Sequence, residues 1–142
     1  MARPHATALL VLLAGLAAGC TREQAADAGP PLASVDAGAV EWRGSLHCAD
    51  CEAIDTRLVL DRSDGAQRYE LREVYVAADG SVDFEEAGEW RMHHSLLSLE
   101  ADDGGLRRFG LVGGGALQQR AASGRAIPGR EGDVLEPVGH PH

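Results

Sequence analysis

Two cysteines separated by two residues, Cys48 and Cys51, are the part of this 142-residue chain with the most chemistry to offer. They lie in the run Leu46-His47-Cys48-Ala49-Asp50-Cys51-Glu52-Ala53-Ile54-Asp55-Thr56. Two thiols at this spacing can chelate a soft ion such as Cu(I), or close a short disulfide that a redox partner reopens. Asp50, Glu52 and Asp55 surround the pair with negative charge, which disfavours a free thiolate until a metal or a disulfide removes that charge. The pair is therefore a poor standing nucleophile. His47 is a candidate third metal ligand through a ring nitrogen, against the plainer reading of a polar residue at a strand end.

Other constellations are weaker. A structural zinc needs four ligands, and the pair His93-His94 is the available complement to the two cysteines. It reads more simply as a turn between two strands. Glu85-Glu86 reads as a solvated face, and His140 and His142 as part of a loose tail over 138–142. A thiol oxidoreductase would place its cysteine at a helix start within a βαβ unit, and neither is present in the pattern. No phosphate-binding loop or hydrolase nucleophile motif occurs, so the chain is expected not to be an enzyme. The formal charge of −9 argues against nucleic acid as a partner, because phosphates would be repelled. All 13 basic residues are arginines, which reads as codon bias.

The amino terminus explains the third cysteine. Ala8 to Ala14 is an apolar run too short to span a bilayer but suited to the core of a secretory signal, and Leu16-Ala17-Ala18-Gly19-Cys20 follows. Small residues before a cysteine resemble the lipobox of bacterial lipoproteins, with Ala17 standing where leucine is usual. The resemblance implies a signal over 1–19, acylation at Cys20 and attachment to the membrane through it. Thr21, in place of the aspartate that retains lipoproteins at the inner membrane, implies the outer membrane, facing the periplasm. With Cys20 acylated, Cys48 and Cys51 form a self-contained pair in an oxidising compartment. Residues 20–39 read as the anchor and a tether rich in Ala, Gly, Pro and Asp, reaching about 25 Å as a coil.

The elements that must hold the CxxC run from 40 to 137. Val40 to Leu46 alternates with Trp42 and Leu46 on one face and predicts a strand ending at the cysteines; Cys48 to Asp55 is a loop or one helical turn with Asp50 as a candidate cap. Thr56 to Asp61 is a second strand, turned by Ser63-Asp64-Gly65. Gln67 to Val76 is the longest strand signal. Its Tyr69 and Leu71 disagree in parity with Val74 and Val76, so a bulge near Glu73 is expected. Asp83 to Met92, Ser95 to Glu100, Leu106 to Val112, Ala116 to Gln119 and Asp133 to Glu136 continue the series. Roughly seven or eight short strands with turn signals between them predict an all-β antiparallel meander closed as a barrel or folded as a sandwich.

The cysteine run also resembles the amino-terminal domain of the NlpE copper-resistance lipoproteins, whose motif is Pro-Cys-Ala-Asp-Cys, any residue, Gly-Ile, then Thr and a Leu-x-Leu strand. Cys48, Ala49, Asp50, Cys51, Ile54, Thr56, Leu58 and Leu60 match it. The similarity extends through Tyr69, Tyr75, Gly88-Glu89-Trp90, Leu97-Ser98-Leu99, Phe109, Ala116-Leu117 and Leu135-Glu136. His47 replaces the family's proline and Ala53 its glycine, which makes a positive φ at 53 less comfortable. The resemblance implies a lipocalin-like barrel with a CxxC loop after the first strand. It also implies copper or envelope-stress sensing, a CxxC that binds Cu(I) or forms a redox-sensitive disulfide, and an envelope protein partner. Longer members carry a second, OB-like domain, which is not expected within these 142 residues. The alternative expectation is a structural barrel that binds a small apolar ligand or a protein partner, with the CxxC as a disulfide staple. Closing so short a loop stabilises by about 1–2 kcal/mol at most.

Overall fold

The computed structural model describes residues 38–139. Cys20, the signal and most of the tether, and His140 and His142, lie outside the described residues. Eight strands follow one another: β1 Ala39–Leu46, β2 Ala53–Asp61, β3 Arg68–Ala77, β4 Gly80–His93, β5 Leu96–Ala101, β6 Leu106–Leu111, β7 Leu117–Arg120 and β8 Val134–Pro137. Each pairs antiparallel with the next, and β8 returns to β1, closing a barrel. The expected meander is thus a barrel and not a sandwich. Period-two alternation puts Trp42, Leu58, Leu60, Tyr69, Leu71, Leu97, Leu99, Phe109, Leu117 and Leu135 in the lumen, where they form the core.

Two indoles seal the core near the end where β1 begins. Trp42 Nε1 donates to the Gly115 carbonyl at 2.9 Å, in the 3-10 turn Gly113–Gly115, and Trp90 Nε1 donates to the Asp61 carbonyl at 3.1 Å. Each buried N–H is therefore satisfied, which lets the large ring be buried without a polar penalty. The loops β2–β3, β4–β5 and β6–β7 lie at this lower end. The loops β1–β2, β3–β4, β5–β6 and β7–β8 form the upper mouth.

Two expectations change. The bulge at Glu73 is absent: β3 keeps an unbroken register with β2 from Arg68↔Asp61 to Val76↔Ala53 and with β4 throughout. Strict alternation carries Glu73 and Tyr75 inward, while Val74 and Val76 take the outer face, half-buried. The segment after Cys48 forms bends rather than a helical turn, so Asp50 caps nothing; β2 starts at Ala53, earlier than the pattern suggested. Among the described non-glycine residues, His94 alone has a positive φ, at 54°. Ala53 is thus ordinary extended backbone, and the exchange of the family's glycine costs nothing there.

β4 outruns its neighbour. Its ladder with β5 begins only at Gly88↔Ala101, so residues 80–86 pair with β3 alone and the β3–β4 hairpin stands above the rim. Val82 and Phe84, on the lumen-facing parity, consequently emerge at 68% and 40% exposure.

The barrel closes where β1 meets β8, over the two pairs Trp42↔Pro137 and Arg43↔Glu136. Gly44 lies beside this seam, and a Cβ there would collide with the Val134 carbonyl oxygen and press on Leu135. Gly44→Ala is expected to destabilise the fold by about 1–3 kcal/mol through overpacking, read as a lowered urea midpoint with an unchanged m-value.

Candidate functional site at the barrel mouth

The β1–β2 loop carries the predicted residues together. Cys48 and Cys51 are joined as a disulfide with Cα atoms 5.3 Å apart, and both are half-buried. His47, Cys48, Ala49, Asp50 and Cys51 line one side of an open cleft whose other walls are Ile54, Tyr75 and Arg130. The loop is tied down at both ends. The His47 backbone N–H donates to Asp133 Oδ1 at 3.0 Å, and the Glu52 N–H donates to the Val76 carbonyl at 2.8 Å. Asp133 is buried at 6% exposure, so the β7–β8 loop holds the cysteine loop across 86 positions of sequence.

His47 is exposed on the same cleft as the cysteines. Among the described residues, however, no three His, Cys, Asp or Glu side chains converge to hold a metal ion. His93 and His94 lie at the β4–β5 turn, at the lower end of the barrel, with their ring centroids 4.2 Å apart. They cannot complete a zinc site with Cys48 and Cys51, because the barrel separates the two pairs. The donors that converge are the two sulfurs, a set that suits two-coordinate Cu(I) once the disulfide is reduced.

Beneath the mouth lies an ionic network that the sequence reading missed. Arg107, from β6, donates Nη1 and Nη2 to the two carboxylate oxygens of Glu73 at 3.0 and 3.2 Å, a bidentate pair. Its Nε reaches Glu86 of β4, 3.2 Å from Oε1. Tyr69 Oη donates to Glu86 Oε1 at 2.8 Å, and Tyr75 Oη donates to Glu73 Oε2 at 3.1 Å. The Phe84 ring covers the guanidinium from above, its centroid 5.8 Å from Cζ. Burial works against the charge on Arg107, but Glu73 and Glu86 more than offset it and hold the guanidinium protonated. Glu86, expected on a solvated face, is instead the second carboxylate of this network, because β4 alternation puts it on the lumen side with Phe84 and Gly88. The signal was present in the strict alternation Tyr69, Leu71, Glu73, Tyr75 opposite Phe84 and Glu86.

Barrel, CxxC position and strand order together invite comparison with known proteins. The profile of the NlpE N-terminal domain matches residues 42–130. The chain belongs to this family. Lipoprotein NlpE of Escherichia coli K12 is 29% identical over 133 residues, covering 92% of this chain and 55% of the relative, so the chain spans about half the length of that protein. The crystal structure of NlpE from Escherichia coli, described as the activator of the Cpx pathway, superposes with a TM-score of 0.54 at 29% identity, over 64% of this chain and 46% of that one. A protein from Shewanella oneidensis described as a lipoprotein superposes with a TM-score of 0.55 at 29% identity, over 70% of this chain and 88% of its own. The NlpE resemblance carried by the cysteine run thus extends over residues 42–130, from β1 through β7.

Within this NlpE-type barrel, Tyr69 and Tyr75 are the only tyrosines of the chain. Burial, reinforced by the hydrogen bond to Glu86, pushes Tyr69 well above the usual phenol range; burial and the charge of Glu73 push Tyr75 up as well. A raised phenol holds its proton in the folded state while the unfolded chain has lost it, so this contribution is complete below the unfolded value of about 10 and is lost as pH rises beyond it. Absorbance titration near 295 nm should show both tyrosines ionising late in the native protein and normally in urea, with unfolding free energy falling above about pH 10. Arg107→Met should cost about 3–5 kcal/mol, because Glu73 would be left buried without its cation; chemical denaturation measures this, and a loss under 1 kcal/mol would contradict the network.

Proposed function

We propose that the chain is a non-enzymatic lipoprotein of the bacterial envelope, anchored through acylated Cys20 to the outer membrane and facing the periplasm, which senses copper or redox stress at Cys48 and Cys51. The observation that carries this reading is the placement of the cysteine pair. It sits at the mouth of the barrel on a loop held by side-chain and backbone hydrogen bonds, outside the packed core, where a reductant or a metal can reach it without unfolding the barrel. Membership of the NlpE N-terminal domain family supports the envelope setting, since its relatives are described as lipoproteins and one as an activator of the Cpx pathway.

The disulfide is the metal-free form. A thiol reductant supplies two electrons and, with two protons, opens the disulfide to two thiols; Cu(I) then displaces both protons to solvent and is held by the two thiolates. His47, next to Cys48 and exposed on the same cleft, can add a nitrogen if the loop rearranges on reduction. Arg130 on the opposite wall would favour the resulting anionic bis-thiolate complex. Loop occupancy then reaches the outside through Asp133 and the β7–β8 loop, a surface that an envelope protein partner could read.

A second reading keeps the disulfide as a permanent staple beneath a partner-binding surface. It is favoured by the anchoring of the loop at both ends, which already fixes its course without a metal.

A competitive Cu(I) titration of the reduced protein separates the two. The parent should bind one Cu(I) at least about tenfold more tightly than Cys48→Ser/Cys51→Ser, as expected when two soft donors are lost. His47→Ala should change the affinity only if the nitrogen joins the site. Equal, weak binding by parent and double variant would leave the staple reading in place.

A further inference from the structure

The outer face of β6 and β7 holds a different kind of site. Inward-facing Phe109 pairs with Gln119, so their neighbours Arg108 and Arg120 project outward and stand directly opposite each other in the ladder. Register extends the row across four strands, Arg91↔Ser98, Ser98↔Arg108 and Arg108↔Arg120. Like charges directly opposed in a sheet destabilise it. The arrangement is unusual for this chain, which carries 22 carboxylates against 13 arginines. Arg57 is paired with Glu41, Arg68 with Asp102, Arg72 with Asp83 and Arg107 with Glu73.

Arg108 and Arg120 have no such carboxylate among the described residues. Both are half-buried, and the Nε atom of each is buried without a hydrogen-bond partner. Two of the four orphaned buried side-chain atoms among the described residues are therefore guanidinium donors on two adjacent strands, lining one small cleft of about 120 Å³ with Ala122. Buried donors left unpaired are costly, and their clustering marks a missing acceptor.

The cleft is built rather than incidental. Arg120 lies flat on Gly110 of β6: a Cβ at that position would sit 2.5 Å from Nε and 2.8 Å from Cζ. Arg120 bridges to Ala126, and the turn between them, closed by Gly124 N–H to the Ala121 carbonyl at 2.8 Å, folds over β5 and β6. A Cβ at Gly124 would sit 3.0 Å from Leu96 and 3.8 Å from Arg108 Nη1, so the turn walls the cleft beside Arg108.

We infer that Arg108 and Arg120 form an oxyanion site that takes a phosphate-class group, as free phosphate or as the headgroup of an anionic lipid. Two guanidiniums offer forked donors matched to phosphate oxygens, and one bound anion would relieve their mutual repulsion while accepting from the orphaned Nε atoms.

The test is thermal unfolding of the full chain with inorganic phosphate against chloride at equal ionic strength, beside phosphatidylcholine vesicles with and without phosphatidylglycerol. Phosphate should raise the Tm of the parent by a few degrees. Arg120→Gln should weaken the apparent phosphate Kd about tenfold, by loss of one charge-assisted fork. Without phosphate, the same variant should be at least as stable as the parent, since the like-charge pair is gone. Arg108→Gln is an independent check on the opposite strand, and Gly110→Ala should displace Arg120 and weaken binding with the charge retained. An arginine-dependent shift with phosphatidylglycerol vesicles alone would assign the site to a lipid headgroup. No arginine-dependent response to either would overturn the proposal.

Discussion

A barrel of eight strands must fill its lumen from alternate residues of every strand, and near the mouth this chain does so with ions. Arg107 is the hinge of that solution. Glu73 is almost completely buried, and a carboxylate in that position is tolerable only because a bidentate guanidinium from across the barrel meets it. The same cation spans to Glu86, so β3, β4 and β6 are locked by one side chain, and both tyrosine hydroxyls find acceptors in the same network. Below this layer the lumen is aliphatic and aromatic. Above it, Phe84 shields the guanidinium from solvent and so strengthens each contact. The cysteine loop sits over this stiff floor, with Tyr75 belonging to both the network and the cleft.

That shared residue gives the mouth its mechanical character. The disulfide loop hangs from Asp133 on one side and Val76 on the other, while its neighbour Tyr75 is fixed by Glu73. A change of state at the sulfurs therefore meets a rigid interior. It is more easily passed outward, to the β7–β8 loop, than inward to the core. A short disulfide contributes little to stability, so opening it can alter the surface while leaving the barrel intact.

Much of this was legible in the sequence. The turn signals and the alternation of Trp42, Leu58, Leu60, Leu97, Leu99 and Phe109 specify strands, and the count of strands with no helix specifies an antiparallel meander, with closure as a barrel implied by the family resemblance rather than by the pattern. The cysteine spacing placed the candidate site. What failed was the reading of Glu73, where apolar Val74 and Val76 outweighed the strict period of two. Hydrophobicity argued for a bulge, whereas continuous pairing on both edges of β3 enforced alternation. The partner that makes a buried glutamate affordable lies 34 residues away, and one local pattern cannot reveal it. Asp133 was similarly read only as the start of a closing strand, because its hydrogen bond to His47 spans nearly the whole domain. Arg108 and Arg120 needed register: only the pairing of β6 with β7 sets them face to face.

The hairpin that overtops the rim has a consequence for solubility. Closure removes the edges of a sheet, yet residues 80–86 of β4 restore one, next to exposed Val82, Phe84 and Leu106. Such an edge invites a second strand. If two copies met antiparallel about Phe84, Asp83 of each would face Glu85 of the other, and like charges would be stacked along the new ladder. The acidic residues interleaved with the apolar ones thus act as gatekeepers: they leave the strand available to a differently charged chain and closed to its own kind.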